Sequence, residues 1–201
     1  MMSKKDLEII VERIPRHPHP KHLLEQYTTP GRIVARIVHM AKILGDLDGS
    51  VVIDLGCGTG RFAIASSLYG AYYSVGVDID KDALKVARDS SNRLKTDVDF
   101  ILSDVRYIRI KGDVVIQNPP FGLKIRHMDR IFLEKAIEIS HVVYTIHDFY
   151  SKDFVISFLE KRNFKVTHVL DDFFEIPTQF LFHKSRIKRI KICIIRATSI
   201  D

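Results

Sequence analysis

The 201-residue chain has no tryptophan, only two cysteines, and no internal repeat or low-complexity tract. It has no apolar run of about 18 residues, the length that crosses a bilayer as a helix, so no membrane partner is expected. The N-terminal MMSKKDLEII is amphipathic and lacks the apolar core of a signal peptide. Cys57 and Cys193 lie far apart with no Cys-x-x-Cys, which argues against a disulfide framework and a structural zinc site. A reducing, cytoplasmic setting is the natural reading. Three histidines crowd between Arg16 and His22, but no acids or cysteines stand at ligand spacing, so no metal is expected. A phosphate-binding P-loop is excluded because no Gly-Lys-Ser/Thr follows the glycine cluster.

What is present suits one globular domain: 46% apolar and 28% charged residues, with a net charge of +6. Ser3 reads as the N-cap of a short amphipathic helix over residues 3–13. The PRHPHP stretch after it cannot remain helical. Thr29 as N-cap and Pro30 as first helical residue predict the start of a second helix. From Val51 onward, short apolar runs alternate with helical patterns of 10–15 residues. That alternation predicts an α/β fold, a doubly wound, mostly parallel sheet of seven strands. No helix separates the last two strands, FKVTHVL and RIKRIKICIIRAT, so they are expected to form an antiparallel hairpin. A long loop over residues 171–188 would join them.

The first strand, VVIDL, runs into Gly56-Cys57-Gly58-Thr59-Gly60. In a doubly wound sheet this loop lies at the carboxyl end of the strand, where ligands bind. A dinucleotide fingerprint would need its third glycine where Arg61 stands, which disfavours a pyrophosphate. Asp54-x-Gly56-x-Gly58-x-Gly60 instead resembles the first motif of class I S-adenosylmethionine-dependent methyltransferases. Asp78 ends the second strand, 24 residues after Asp54, and can accept two ribose hydroxyls. Asp104 follows the third strand, placed to accept from an adenine amino group. Either acid alone could simply cap the segment after it. Cys57 has no base partner and reads as loop filler.

The fourth strand ends in Asn118-Pro119-Pro120-Phe121. Two prolines could be only a rigid stop. The tetrad resembles the (Asn/Asp/Ser)-Pro-Pro-aromatic motif of enzymes that methylate an exocyclic nitrogen. Such a nitrogen is a poor nucleophile, because its lone pair is delocalised. The Asn118 carboxamide oxygen and the Pro119 carbonyl can each accept one of its N–H groups and aim the lone pair. Phe121 offers a stacking face, worth about 1–3 kcal/mol per base.

In their order along the chain, Leu24-Glu25-Gln26-Tyr27-Thr28-Thr29-Pro30, Asp78-Ile79-Asp80-Lys81-Asp82-Ala83-Leu84, the Asn118 tetrad, Val143-Tyr144-Thr145-Ile146-His147 and residues 176–184 resemble the methyltransferase-like protein 5 family and its archaeal relatives. The resemblance implies a Rossmann-like fold, S-adenosylmethionine as cofactor, and N6-methylation of adenine in small-subunit ribosomal RNA. It implies that Gln26 and Thr29 close over the cofactor with Asp54, Gly56, Gly58, Thr59, Asp78, Asp104 and Asn118. Residues 1–50 would then be a helical extension packed on the cofactor site, and 51–201 the methyltransferase domain. Eukaryotic members work with a small zinc-binding activator protein, a candidate partner here. The chain departs from them at Thr59, where they have Cys, and at Thr28, where they have Pro. A protein glutamine methyltransferase and a non-catalytic RNA-binding module are the alternatives. The first usually has a larger N-terminal domain, and the second would not need the tetrad. His147 and Tyr27 are each open to a pocket or a packing role.

Charge is localised. Residues 183–196 hold six Lys or Arg and no acid, matching the net charge of the whole chain. The phenylalanines at 173, 174, 180 and 182 precede this stretch. Stacking faces beside phosphate partners suit single-stranded RNA, with Lys184, Arg186, Lys188 and Arg189 as contacts. The bland reading is buried phenylalanines and solvated lysines. Neutralising those four residues should weaken RNA binding and flatten its salt dependence by roughly one unit of slope per lost phosphate contact. An unchanged slope in a binding titration would place the RNA elsewhere.

Overall fold

The computed structural model describes residues 2–21, 25–121, 127–177 and 187–200, with the side chains of 175–177, 187 and 188 left aside. Two helices come first, α1 (Lys4–Glu12) and α2 (Gly31–Ile43). Then follow β1 (Val51–Leu55), α3 (Arg61–Tyr69), β2 (Tyr73–Asp78), α4 (Lys81–Leu94), β3 (Val98–Leu102), β4 (Val114–Gln117), α5 (Met128–Ile139), β5 (Val142–Asp148) and α6 (Lys152–Glu160). Two long strands, β6 (Phe164–Pro177) and β7 (Ile187–Ser199), finish the chain.

The strands form one sheet in the order β3-β2-β1-β4-β5-β7-β6. All pairings are parallel from β3 to β5, and β7 is antiparallel to both β5 and β6. The chain works outward from β1 to β3, then returns to β4 beside β1. Ligand crevices open at such a reversal, at the carboxyl ends of the strands. Leu55 and Gln117 are direct partners, so the glycine loop and the Asn118 loop leave the sheet side by side.

Central strands carry apolar residues in continuous runs because both faces are covered. Alternate residues feed opposite cores. Val52, Val114, Ile116 and Ile146 pack with α1, α2 and α3, while Ile53, Val115 and Val143 pack with α5 and α6. Ser3 and Asp6 close a capping box at the start of α1.

Two expectations are corrected. The second helix begins at Gly31 with Pro30 in the cap position and no side-chain cap. Thr29 lies one residue before the cap, and its hydroxyl accepts from the Asn118 side chain. Gly31 is required by the approach of α1: a Cβ there would lie 2.7 Å from the Glu8 carbonyl oxygen. The second correction concerns the hairpin. Asp171 and Asp172 read as the end of a strand, since Asp is depleted in sheets. β6 nevertheless runs on to Pro177, paired with β7 throughout. Ion pairs override the propensity. Asp172 is held by Arg32 (2.6 Å) and Arg36 (2.7 Å) of α2, and Asp171 sits 3.5 Å from Lys191 and 3.7 Å from Lys152. Phe173 and Phe174 therefore lie in a strand, the first half exposed and the second buried.

Lys184 and Arg186 lie outside the described residues, as does the Lys188 side chain. Arg189 stands 5.6 Å from the centre of the Phe173 ring.

A buried polar cluster joins the turn after α2 to the far strands. Arg196 donates to both Asp46 oxygens at 2.7 Å and to the Thr167 hydroxyl at 2.7 Å, and the Tyr144 hydroxyl donates to Asp46. Removing one member of a buried pair strands the other charge. Asp46→Ala should therefore lower the urea-unfolding free energy by about 3–5 kcal/mol. A loss below about 1 kcal/mol, the size typical of surface pairs, would show that the cluster behaves as a solvated pair.

Candidate active site

A cavity of about 310 Å³ opens at the reversal between β1 and β4. Its walls come from the segment 25–29, the loops after β1, β2, β3 and β4, one face of α5 and Phe174 of β6. Among the sequence-derived residues, Gln26, Thr29, Asp54, Gly56, Gly58, Thr59, Asp78, Asp104 and the tetrad Asn118, Pro119, Pro120 and Phe121 all line it.

The glycine loop takes the left-handed backbone region at Gly56 (φ 68°), Gly58 (φ 53°) and Gly60 (φ 79°), which suits glycine and leaves open space over Gly58. The Gly58 N–H donates to Asp78 Oδ2 at 2.8 Å, and the Asp80 N–H donates to Asp78 Oδ1 at 2.8 Å. Each carboxylate oxygen retains acceptor capacity for a hydroxyl. Asp54 is fully buried and accepts the Ala63 N–H at 3.0 Å, so it caps the first turn of α3. Burial pushes its carboxyl up to about 8, and burial likewise raises Asp78. Burial thus favours the neutral form of both acids. Asp104 reaches the wall with its carboxylate held by Arg106, at 3.0 Å and 3.1 Å from Nε and 2.6 Å from Nη2. That guanidinium holds Asp104 below the usual carboxylate range.

Asn118 carries the clearest geometry. Its amide nitrogen donates to Thr29 Oγ1 at 3.0 Å, while its Oδ1 is buried without a partner. An unpaired buried acceptor is costly, and here it borders a cavity. The neighbouring Phe121 N–H donates to Glu25 Oε2 at 2.8 Å.

Several site residues carried no motif. Arg61, which breaks the dinucleotide fingerprint, is buried and donates to the carbonyls of Thr29 (3.0 Å) and Ile14 (2.7 Å). Asp80 caps α4 and gathers Gln26 (2.9 Å), Lys21 (3.0 Å) and the buried His17 (3.2 Å). Burial raises the Asp80 carboxyl, but the hydrogen bonds from Gln26 and Lys21 outweigh it and hold it low. Its cap position after the second strand was readable, but its distant partners were not. Phe174 carried a signal as part of the aromatic run. Tyr27 lines the cavity, half exposed. His147 does not line it. His147 is buried, its ring 2.7 Å from Thr145 Oγ1, and burial depresses its pKa to about 3. It is a neutral packing residue. Cys57 is a buried thiol, pushed up by burial.

Fold and site together define a class I S-adenosylmethionine-dependent methyltransferase. The family model described as ribosomal protein L11 methyltransferase (PrmA) matches residues 37–119. A crystal structure from Pyrococcus horikoshii, PH1948, described as a candidate RNA methyltransferase, is 39% identical over the whole of both chains, with a TM-score of 0.92. Protein MJ0284 of Methanocaldococcus jannaschii is 43% identical over 98% of this chain and 94% of its own length. The rRNA N(6)-adenosine-methyltransferase METTL5 of Danio rerio is 31% identical over 98% of this chain and 99% of its own length. The chain belongs to the METTL5 family.

Asp54 gives a test. Its folded pKa, about 8, exceeds the value of about 3.9 in an unfolded chain. The folded protein holds a proton that the unfolded chain has released between those values. Its stabilising effect is complete below pH ~4 and is lost as pH rises to about 8, with a slope of up to about 1.4 kcal/mol per unit. Asp54→Asn should flatten that decline in urea unfolding of the ligand-free protein. A variant with the wild-type slope would assign the titration to another group.

Proposed function

We propose that the chain transfers a methyl group from S-adenosylmethionine to the exocyclic N6 of an adenine in RNA, with small-subunit ribosomal RNA as the substrate. The observation that carries this reading is the orphaned Asn118 Oδ1. Thr29 takes up the amide nitrogen and so fixes which end of the carboxamide faces an incoming amine. The relatives named as rRNA N(6)-adenosine-methyltransferases support the choice of base and RNA.

Bound in the cavity, S-adenosylmethionine supplies an electrophilic methyl on a cationic sulfonium. Asp78 accepts the ribose hydroxyls, and the left-handed glycine turns at 56 and 58 let the ligand lie against the backbone. Gln26, Thr29 and Thr59 close the cavity around it, and the half-buried Asp78 lies in its wall. Asp104, already turned to Arg106, forms the wall of the adenine side.

The target base presents two N–H groups. Asn118 Oδ1 accepts one and the Pro119 carbonyl accepts the other, which draws the nitrogen toward a pyramidal shape. Phe121 stacks against the ring. No strong base is needed: the methyl–sulfur bond breaks as the methyl–nitrogen bond forms, S-adenosylhomocysteine leaves, and the alkylated nitrogen, now acidic, gives its proton to water. Catalysis is then largely positioning and electrostatics. A base within RNA structure must be swung out to reach the cavity.

The same reading includes a cytoplasmic location, an RNA path across Lys184, Arg186, Lys188 and Arg189, and residues 1–50 as an extension that roofs the site. On the family resemblance, it also includes a small zinc-binding activator as a protein partner.

Labelled cofactor supplied with unmethylated small ribosomal subunits, naked ribosomal RNA and ribosomal proteins tests it. We expect label in RNA as N6-methyladenine, and a loss of about 10²–10³-fold in kcat for Asn118→Ala, the size seen when one preorganised polar contact is removed. Label in protein, or at another nucleoside, would refute the assignment.

A further inference from the structure

We propose that Glu25 is a positioning residue for methyl transfer, holding the Phe121 end of the catalytic tetrad as Thr29 holds its Asn118 end. The inference deepens the methyltransferase reading and rests on it.

Glu25 is buried, with 8% of its surface exposed. Acids are rarely buried without a partner, because the desolvation of a carboxylate must be offset. Its Oε2 accepts the Phe121 N–H at 2.8 Å, across 96 positions of sequence. A hydrogen bond to an ionised oxygen is among the stronger kinds. A carboxylate here is not a space-filling choice, since an apolar side chain of similar volume would avoid the desolvation.

The backbone points the same way. Glu25 is one of four non-glycine residues with positive φ among the described residues, at 48°, and its carbonyl accepts the Tyr27 N–H at 2.8 Å. A non-glycine residue rarely stays in that region unless its surroundings over-determine it, and such positions cluster at functional sites. The tight turn lets the segment 25–29 present the Glu25 carboxylate and the Thr29 hydroxyl to one loop.

That loop needs an outside hold. Pro119 and Pro120 have no N–H, so neither can anchor the segment by donation. Phe121 supplies the first backbone donor after Asn118, and Glu25 takes it. The Phe121 ring packs on the core cluster that contains Phe174. Fixing the Phe121 backbone therefore fixes both the stacking face and the Pro119 carbonyl two residues before it. Misplacement of such groups by about 1 Å can cost a hundredfold in rate.

The test compares Glu25→Gln, which keeps an acceptor oxygen, with Glu25→Ala, which does not. Three quantities are read: methyl-transfer kcat and RNA KM, the affinity for S-adenosylhomocysteine by calorimetry, and hydrogen exchange at the Phe121 amide. We expect Glu25→Ala to lower kcat by about 10–100-fold, with RNA KM and S-adenosylhomocysteine affinity within about threefold. Glu25→Gln should retain most of kcat. Phe121 exchange should quicken by about tenfold or more in the alanine variant and stay slow in the glutamine variant. Wild-type kcat and wild-type exchange in Glu25→Ala would overturn the proposal. So would equal kcat losses in both variants, or a loss of S-adenosylhomocysteine affinity as large as the loss of kcat. Should the wild type bind S-adenosylhomocysteine yet methylate no RNA, the proposed function fails instead. Unchanged Phe121 exchange in Glu25→Ala would then still overturn the clamp.

Discussion

A buried guanidinium sits where the two halves of the site meet. Arg61 opens α3 directly after the glycine loop, where the helix N-terminus disfavours a positive charge. It is held there by carbonyls of the N-terminal region, Thr29 and Ile14, and by Glu12 of α1 at 3.4 Å. Glu12 also accepts the Gly31 N–H at 2.6 Å. One charged group thus fastens α1, the start of α2 and the segment between them to the glycine loop. Thr29 gives its carbonyl to Arg61 and its hydroxyl to Asn118. The glycine loop and the Asn118 loop are coupled through this one residue.

Much of the fold was legible, because it rests on local patterns. VVIDL, VVIQ and VVYTIHD each open on a run of apolar residues, as strands covered on both faces do. The antiparallel final hairpin followed from the missing helix between its strands. Its length did not, because it depends on Arg32 and Arg36 reaching Asp172 from about 140 positions away. The start of α2 was misplaced for a related reason. A threonine before a proline is a good local cap, but tertiary structure had another use for the hydroxyl.

The site divides along the same line. Asp54 and Asp78 lie at the carboxyl ends of two strands, and Asp104 and Asn118 just beyond two others, so alternation plus residue type located all four in one crevice. Arg61 was noticed only as a mismatch to a nucleotide motif, and its bracing role depends on carbonyls that no pattern marks. Glu25 was part of a recognisable string, yet its carboxylate acts on a backbone amide of another loop. Interactions written in backbone atoms leave little trace in residue identity.

The sheet order has a consequence for synthesis. β7 lies between β5 and β6, although it is made last. Until it emerges from the ribosome, β6 has no neighbour in the sheet and β5 exposes a full row of unpaired amides and carbonyls. An open apolar edge of this kind invites pairing with other chains. The acid-free stretch that includes β7 is therefore also the closing strand of the domain. Only its pairing with β5 and β6 removes that edge.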